Sequence, residues 1–359
     1  MTHPDNNPLA VIASDVPQLK RQDAIELLLQ HYGLAVVKAE SLVSERDQNF
    51  EVRTADGLKL VFKIANAAED PQVTDFQIKA LQHIERYQSE HGKRFNAPRI
   101  VPTLAGELQI TVRSGDVSHI CRLVSYVEGV PLGDDVPGPG FSRNAGIYLA
   151  EIGRALRDFR HDASDHNLLW DMKRALDLRE LQRFITDPAL RKQVARCLDD
   201  FEEHALPRFG NLRWQVIHND LNPDNILVDA PQGSKVVGVI DFGDMLSSPL
   251  IVDVAVAVSY LRSRNGNPLS RVANFIAGYH SVTPLRRDET DLLYDLIRTR
   301  LAATISIRFW RISERSPDDP YLKKILQENS AERFLSRLDE LPRESVRSIF
   351  REACGNGGS

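Results

Sequence analysis

Residues 218–225 read HNDLNPDN, and a second polar cluster, DFGD, opens sixteen residues after Asn225, at Asp241. Each follows an apolar run that reads as a strand, QVI before His218 and VVGVI before Asp241. Polar loops at the ends of rigid elements are where soluble enzymes place reactive groups. On the first loop Asp220 and Asn225 are five residues apart, close enough to face one small volume. The GSK turn at 233–235 sends VVGVI back, and Asp241 is expected beside the same volume. Two carboxylates and an amide oxygen are hard donors of the kind Mg²⁺ takes when phosphate oxygens complete its shell. A carboxylate left off the metal can accept a proton from an attacking hydroxyl, while the other holds the metal with the amide. Asp220 is assigned the first role, Asn225 and Asp241 the second. Asn222-Pro223-Asp224-Asn225 is also a good turn sequence in its own right.

A cation for phosphate should come from elsewhere. In GLKLVFKIA at 57–65, alternation puts Leu60, Phe62 and Ile64 on one strand face and Lys59, Val61 and Lys63 on the other. Lys63, late in the strand and after Val-Phe, fits the pattern of a phosphate-binding strand lysine. Asp253 stands in LIVDVAVAV, where every neighbour is apolar. A buried carboxylate needs donors, and the free N–H groups of an irregular loop are a natural supply. Asp253, with His218, is therefore read as a brace for the loop.

The elements that must hold these residues fall into two groups. Residues 1–16 are polar, rich in Pro and Asn, and expected to form a tail. A helix follows from Val16 to Tyr32, stopped by Gly33. Strand-like runs LAVVKAESLV, NFEVRT and GLKLVFKIA, the last two joined by the ADG turn at 55–57, precede a helix over 70–90. ELQITVRS and HICRLVSYV make two further strands. After the Gly/Pro-rich EGVPLGDDVPGPG, helical spacing dominates: 142–160, 171–186, 189–204, 249–263, 269–281 and 288–312, with strands only between Trp214 and Phe242. The expected fold is α+β: a small antiparallel β-rich lobe over 17–127, a hinge near Ser125–Gly129, a larger helical lobe over 128–350, and a frayed end at 351–359. Ligands favour the cleft between such lobes.

Bulk properties agree with an ordinary globular enzyme: 359 residues, 42% hydrophobic and 26% charged. A net charge of -5 argues against a dedicated nucleic-acid binder. Cys121, Cys197 and Cys354 stand far apart without a CxxC pair, as in a reducing compartment, and no structural zinc is expected. MTHPDNNPLA lacks a signal-peptide pattern, and the most apolar run, PLIVDVAVAVSYL, is too short to cross a membrane. A cytoplasmic protein is expected.

HxDxxxxN followed by DFG within thirty residues arises by chance in roughly one unrelated chain in ten thousand, so the combination outweighs either motif alone. HNDLNPDNILVD, VIDFGD and Asp253 resemble the aminoglycoside-phosphotransferase and choline-kinase superfamily, which has a protein-kinase-like fold. SERDQNFEV, VSYVEGVPL, LLWDMKRALDLRELQRFI, DFGDMLSSPLIVDVAVAVSYL and FIAGYHSVTPLRRDE are similar to its hydroxylysine-kinase-like branch, over roughly residues 20–345. The resemblance implies Mg²⁺-dependent transfer from GTP or ATP to a hydroxylated amino compound, 5-hydroxylysine first. Homoserine, choline or ethanolamine, an aminoglycoside, or a non-catalytic role remain alternatives.

Two departures from the protein-kinase pattern stand out. SERDQNF has no glycines, so phosphate contacts there fall to Ser44, Gln48, Asn49 or backbone N–H groups. The helix position that usually pairs the strand lysine with Glu is Gln77, with Asp75 nearby. Purine recognition is assigned to Ser125, Tyr126 and Val127. An amino-acid acceptor needs an acid and a base, for which Asp244, Trp170, Asp171, Arg308, Trp310 and Arg311 are the candidates. Amphipathic helices, core packing and helix-end charge would equally account for several of them.

Overall fold

The structure, a computed structural model, describes residues 16–92, 95–133, 138–230, 233, 235–263, 266–314 and 329–355. The expected tail lies mostly outside that set. Helix α1 (Arg21–Tyr32) ends where Gly33 takes a left-handed φ of 67° and returns hydrogen bonds to Leu28 and Leu29. It starts later than the apolar spacing suggests. The Gln48 side chain accepts the N–H of Leu19 and donates to its carbonyl, and residues 16–20 lie outside the helix.

Strands β1 (Val36–Leu42), β2 (Gln48–Thr54), β3 (Lys59–Ile64), β4 (Ile100–Val101), β5 (Ile110–Ser114) and β6 (Val117–Ser125) form one antiparallel sheet in the order β1-β2-β3-β6-β4, with β5 also on β6. Leu60, Phe62 and Ile64 are buried with Phe50, Val52, Cys121 and Leu123 against Ala24, Leu28 and Tyr32 of α1. Lys59, Val61 and Lys63 alternate to the other face. Helix α2 (Pro71–His91) belongs to the same half. β4, only two residues long, left no readable pattern in the sequence.

The chain separates into two compact units. The first runs to Glu90, resumes over Ala97–Val127 and recovers His161–Leu169; the second takes His91–Asn96, Glu128–Arg160 and the chain from Trp170 on. Relative to a single cut after Val127, this division exchanges two short segments, His91–Asn96 and His161–Leu169. His161–Leu169 joins the first unit because the Nε2 of His161 bonds Asp75 of α2 at 3.0 Å and Phe76 lies against both His161 and His166.

In the second unit, helices α3 (Pro139–Leu156), α4 (Pro188–Asp200), α5 (Leu250–Val258), α6 (Ser270–Val282), α7 (Arg287–Thr290), α8 (Leu293–Glu314), α9 (Ser330–Asp339) and α10 (Arg343–Ala353) surround two small sheets. One sheet joins β7 (Val130–Pro131), β9 (Ile226–Val228) and β10 (Val236–Val239); the other pairs β8 (Trp214–Ile217) with β11 (Leu246–Pro249). α3 and α6 cross at close range: a Cβ on Gly146 would fall on the carbonyl oxygen of Phe275, and one on Gly278 on that of Arg143. The segment 172–184 is a 3₁₀ helix broken at Arg174 rather than an α-helix. β7 and β11 escaped the sequence reading because Val-Pro and Leu-Ser-Ser-Pro carry no alternating pattern. The end is ordered further than expected: α10 continues to Ala353, and Cys354 is buried. No helix among the described residues is long and apolar enough to cross a membrane.

Candidate functional site

The loop 218–225 leaves β8 and enters β9, while Asp241 follows β10. Asn219 turns the loop through a left-handed φ of 63°, a conformation that Asn tolerates better than most residues. The turn puts His218 fully inside and leaves Asp220 about one-fifth exposed, at 19%. Asp253, delivered by β11 and the first turn of α5, accepts the N–H of Asn219 at 2.8 Å and that of His218 at 3.2 Å. This is the brace geometry expected of a carboxylate in an apolar helix. Burial pushes Asp253 up to about 6 even so.

His218 ties the two polar clusters together. Its Nδ1 accepts the N–H of Asp220 at 3.3 Å, so Nε2 carries the proton and donates to the Ile240 carbonyl at 3.2 Å. Its ring stands edge-on to Phe242, 4.7 Å between centroids. Burial pushes the imidazole down to about 4, so it is neutral at physiological pH. Ile240 also donates its N–H to the Asn225 carbonyl at 3.0 Å. Asp241, one residue on, is therefore anchored through Ile240 to both ends of the loop, and it too sits at a positive φ, 58°.

Around Asp220 the bonding is dense. Asn222 Nδ2 reaches both carboxylate oxygens, at 3.0 and 3.1 Å, and Asn225 Nδ2 reaches Oδ2 at 2.8 Å. Asn222 Oδ1 meanwhile accepts the N–H of Asp224 at 2.8 Å, so the turn reading of this segment holds alongside the chemical one. Burial first, and then the charge of Asp244, push Asp220 well above the usual carboxylate range; Arg300 opposes them and Asp241 adds to them. A carboxylate so placed binds a proton more tightly than an exposed one, as a general base requires.

Arg300 was not among the residues singled out from sequence. It lies on α8, 1% exposed, with Nη2 3.8 Å from Asp220 Oδ1 and its guanidinium stacked 4.3 Å from the Trp170 ring. Trp170 also carries Arg311 on its ring, at 5.5 Å. Arg300 and Arg311 are eleven residues apart, about three helical turns, and so share one face of α8. A signal existed: four arginines, at 298, 300, 308 and 311, stand among the largely buried residues of this helix. Arg308 forms an ion pair with Glu332 of α9. Trp310 is buried at 6% in the core. Asp171 caps the following 3₁₀ helix through the N–H of Lys173 at 2.9 Å and meets the Lys173 ammonium at 3.5 Å. Asp244 is buried beside Asp220, as its effect there requires.

In the first unit, Lys63 lies on β3 directly across from Asn49 of β2 and Arg122 of β6. Asn49 is buried, with its side-chain oxygen unbonded. Gln48, bound to Leu19, is turned away from any phosphate role. Ser44 sits on the loop between β1 and β2, which Asp47 and Arg46 fasten to Asn66. Gln77 accepts a hydrogen bond from Arg122 at 2.5 Å, a partner that strand spacing did not reveal. Asp75 bonds Lys79 and His161, so it is not the lysine's counter-charge. Ser125 gives its N–H to the Arg99 carbonyl and its hydroxyl oxygen accepts from the Arg99 N–H. Lys59 lies 4.8 Å over the Tyr126 ring.

Residues 39–290 match the profile of the phosphotransferase enzyme family, a span that contains Lys63, the loop, Asp241 and Asp253. The chain belongs to that family. Hydroxylysine kinase from Danio rerio is 25% identical over 350 residues, covering 94% of this chain and 96% of its own. Homoserine kinase from Methylobacillus glycogenes is 32% identical over 227 residues, covering 59% of this chain and 66% of its own. Among solved structures, a microcompartment-associated aminopropanol kinase superposes with a TM-score of 0.65 at 18% identity, covering 94% of this chain and 99% of that one. The phosphotransferase thus has the protein-kinase-like fold, and it is an alcohol-acceptor enzyme, a kinase of small hydroxylated molecules.

The donor set of the phosphotransferase fits a divalent cation of the magnesium type. Asn225 spends its Nδ2 on Asp220, which leaves Oδ1 as the amide atom able to meet a metal. Asp241 adds a carboxylate whose Oδ1 already accepts the Gly243 N–H at 3.2 Å. No group of three or more His, Cys, Asp or Glu side chains among the described residues could hold a metal unaided. Two hard oxygens suit an ion whose other ligands are phosphate and water.

Proposed function

We propose that this phosphotransferase moves the γ-phosphate of GTP or ATP, with Mg²⁺, to the hydroxyl of a hydroxylated amino acid, 5-hydroxylysine before others. The near-full-length likeness to hydroxylysine kinases carries the choice of acceptor. In this reading Asp220 takes the proton of the attacking hydroxyl, and Asn222, Asn225 and Arg300 hold its carboxylate in place. Asn225 Oδ1 and Asp241 hold the cation, which when bound neutralises charge on the transferring phosphate. Lys63 meets the phosphates with Asn49 and the Ser44 loop, while Tyr126 and Val127 offer backbone groups to the base. Trp170, Arg311 and Asp244 face the acceptor, as does Arg300 through Asp220, the arginines suiting a carboxylate and the aspartate an ammonium.

Homoserine is the second reading, favoured by the 32% identity to homoserine kinase over a shorter stretch. A matrix of acceptors (5-hydroxylysine, homoserine, ethanolamine, choline, an aminoglycoside) against ATP and GTP tests both. The highest kcat/KM is expected with 5-hydroxylysine; a clear preference for an aminoglycoside or choline would overturn the amino-acid reading.

A further inference from the structure

Arg122 of β6 is 3% exposed, yet it meets no carboxylate among the described residues. Among the described residues its one hydrogen-bond partner is the neutral Oε1 of Gln77, to Nη2, and its Nη1 is buried with none. A guanidinium keeps its proton under all ordinary conditions, so it cannot escape burial by neutralising itself as a lysine can. A buried cation without a counter-charge is unfavourable. The register makes matters worse. Arg122 stands directly opposite Lys63, and directly opposed residues share a face of an antiparallel pair. Ile64 and its partner Cys121, one position along, both turn to the α1 core, so Lys63 and Arg122 turn together to the other face. Like charges so opposed repel each other.

We propose that Arg122 is a second cation for the phosphate chain of the nucleotide, beside Lys63. This rests on reading the first unit as the nucleotide-binding one. A polyphosphate carries several negative charges in a row and can be shared by two neighbouring cations, and a planar guanidinium matches phosphate oxygens in pairs. Gln77 suits this arrangement. It holds Nη2 through a neutral amide, so it fixes the direction of the side chain and leaves the positive charge for a ligand. A glutamate there would cancel it.

The test is calorimetric binding of two ligands to the full chain: a non-hydrolysable analogue of whichever triphosphate the wild type binds, and the matching nucleoside. In Arg122→Met the triphosphate affinity is expected to fall at least about tenfold, the scale of one lost charge-assisted hydrogen bond, with nucleoside affinity unchanged. Equal triphosphate affinity in variant and wild type overturns the inference, and so does a parallel loss of both ligands, which would mark a purely structural arginine. If the methionine variant does not fold, Arg122→Lys, which keeps the charge and loses the fork, is expected to lose about threefold in triphosphate affinity alone. No loss there overturns the inference too. Lys63→Met separates the two claims: if it abolishes triphosphate binding while Arg122→Met leaves it intact, the nucleotide site stands and the role of Arg122 falls. A wild type that binds neither triphosphate overturns both.

Discussion

Asp253 reaches back thirty-four residues in sequence to accept the N–H of Asn219 at 2.8 Å, and with its other oxygen it takes the N–H of His218. The residue before Asp220 is thus held by a carboxylate that is itself fixed in the first turn of a wholly buried helix. Removing that carboxylate leaves two buried N–H groups without acceptors. Asp253→Ala should lose about 3 kcal/mol or more of unfolding free energy, from unsatisfied donors at roughly 1–3 kcal/mol each. Denaturant unfolding checks the stability, and turnover should fall with it because Asp220 loses its mount.

The same residue sets a pH dependence. Its folded value of about 6 lies above the ordinary 3.8, so the folded state favours the protonated form. The stability this gives is complete below about pH 4 and is lost as pH rises through about 6, an effect on the order of 2–3 kcal/mol. Unfolding curves at pH 4, 5, 6 and 7 should show the slope in wild type. Asp253→Asn, which cannot titrate, should lack that component while being less stable throughout, since its amide can accept only one of the two N–H bonds.

The crossing of α3 and α6 tolerates no side chain at Gly278, where a methyl would meet the carbonyl of Arg143. Gly278→Ala is expected to cost about 2–3 kcal/mol as the helices move apart, although alanine is the better helix former. Gly140→Ala, on the partner helix α3 but with open space around it, serves as the control and should be neutral or slightly stabilising.

Burial pushes the thiols of Cys121 and Cys197 up to about 12, and that of Cys354 to about 11. All three should resist a thiol reagent at pH 8 in the native protein and react together once guanidinium unfolds it. Fast reaction of Cys354 alone would mean that α10 opens locally.

The parts of the site legible in sequence are those whose geometry is short-range. Asp220 and Asn225 share one loop, Asp241 ends the strand that returns beside it, and alternation along β3 puts Lys63 opposite the core face. Asp253 was legible because a lone carboxylate in LIVDVAVAV leaves few ways to be satisfied. The rest depended on distant register or helix rotation. Arg122 finds Gln77 only once β6 lies beside β3 and α2 is in place. Arg300 reaches Asp220, and Arg308 turns to Glu332 instead, because of how α8 is rotated in the second unit, which letters do not encode. Gln48 had an equally good chemical reason to meet phosphate, but the backbone of Leu19 claimed it.

Arg300 gives a further expectation. Its guanidinium lies 4.3 Å from the Trp170 ring and 6.0 Å from that of Tyr260, and it stands 3.8 Å from Asp220 Oδ1 as a positive charge beside the carboxylate. Arg300→Met should lower kcat roughly tenfold, in line with a modest misplacement of the base, and leave nucleotide affinity unchanged. Arg300→Lys should recover part of that loss.

In the proposed reaction Asp220 accepts the proton of the acceptor hydroxyl. The most direct test of this step is phosphate transfer by Asp220→Asn measured beside nucleotide binding by the same preparation. Transfer is expected to fall at least about a hundredfold with nucleotide affinity within about threefold of wild type. Undiminished transfer by that variant would contradict it.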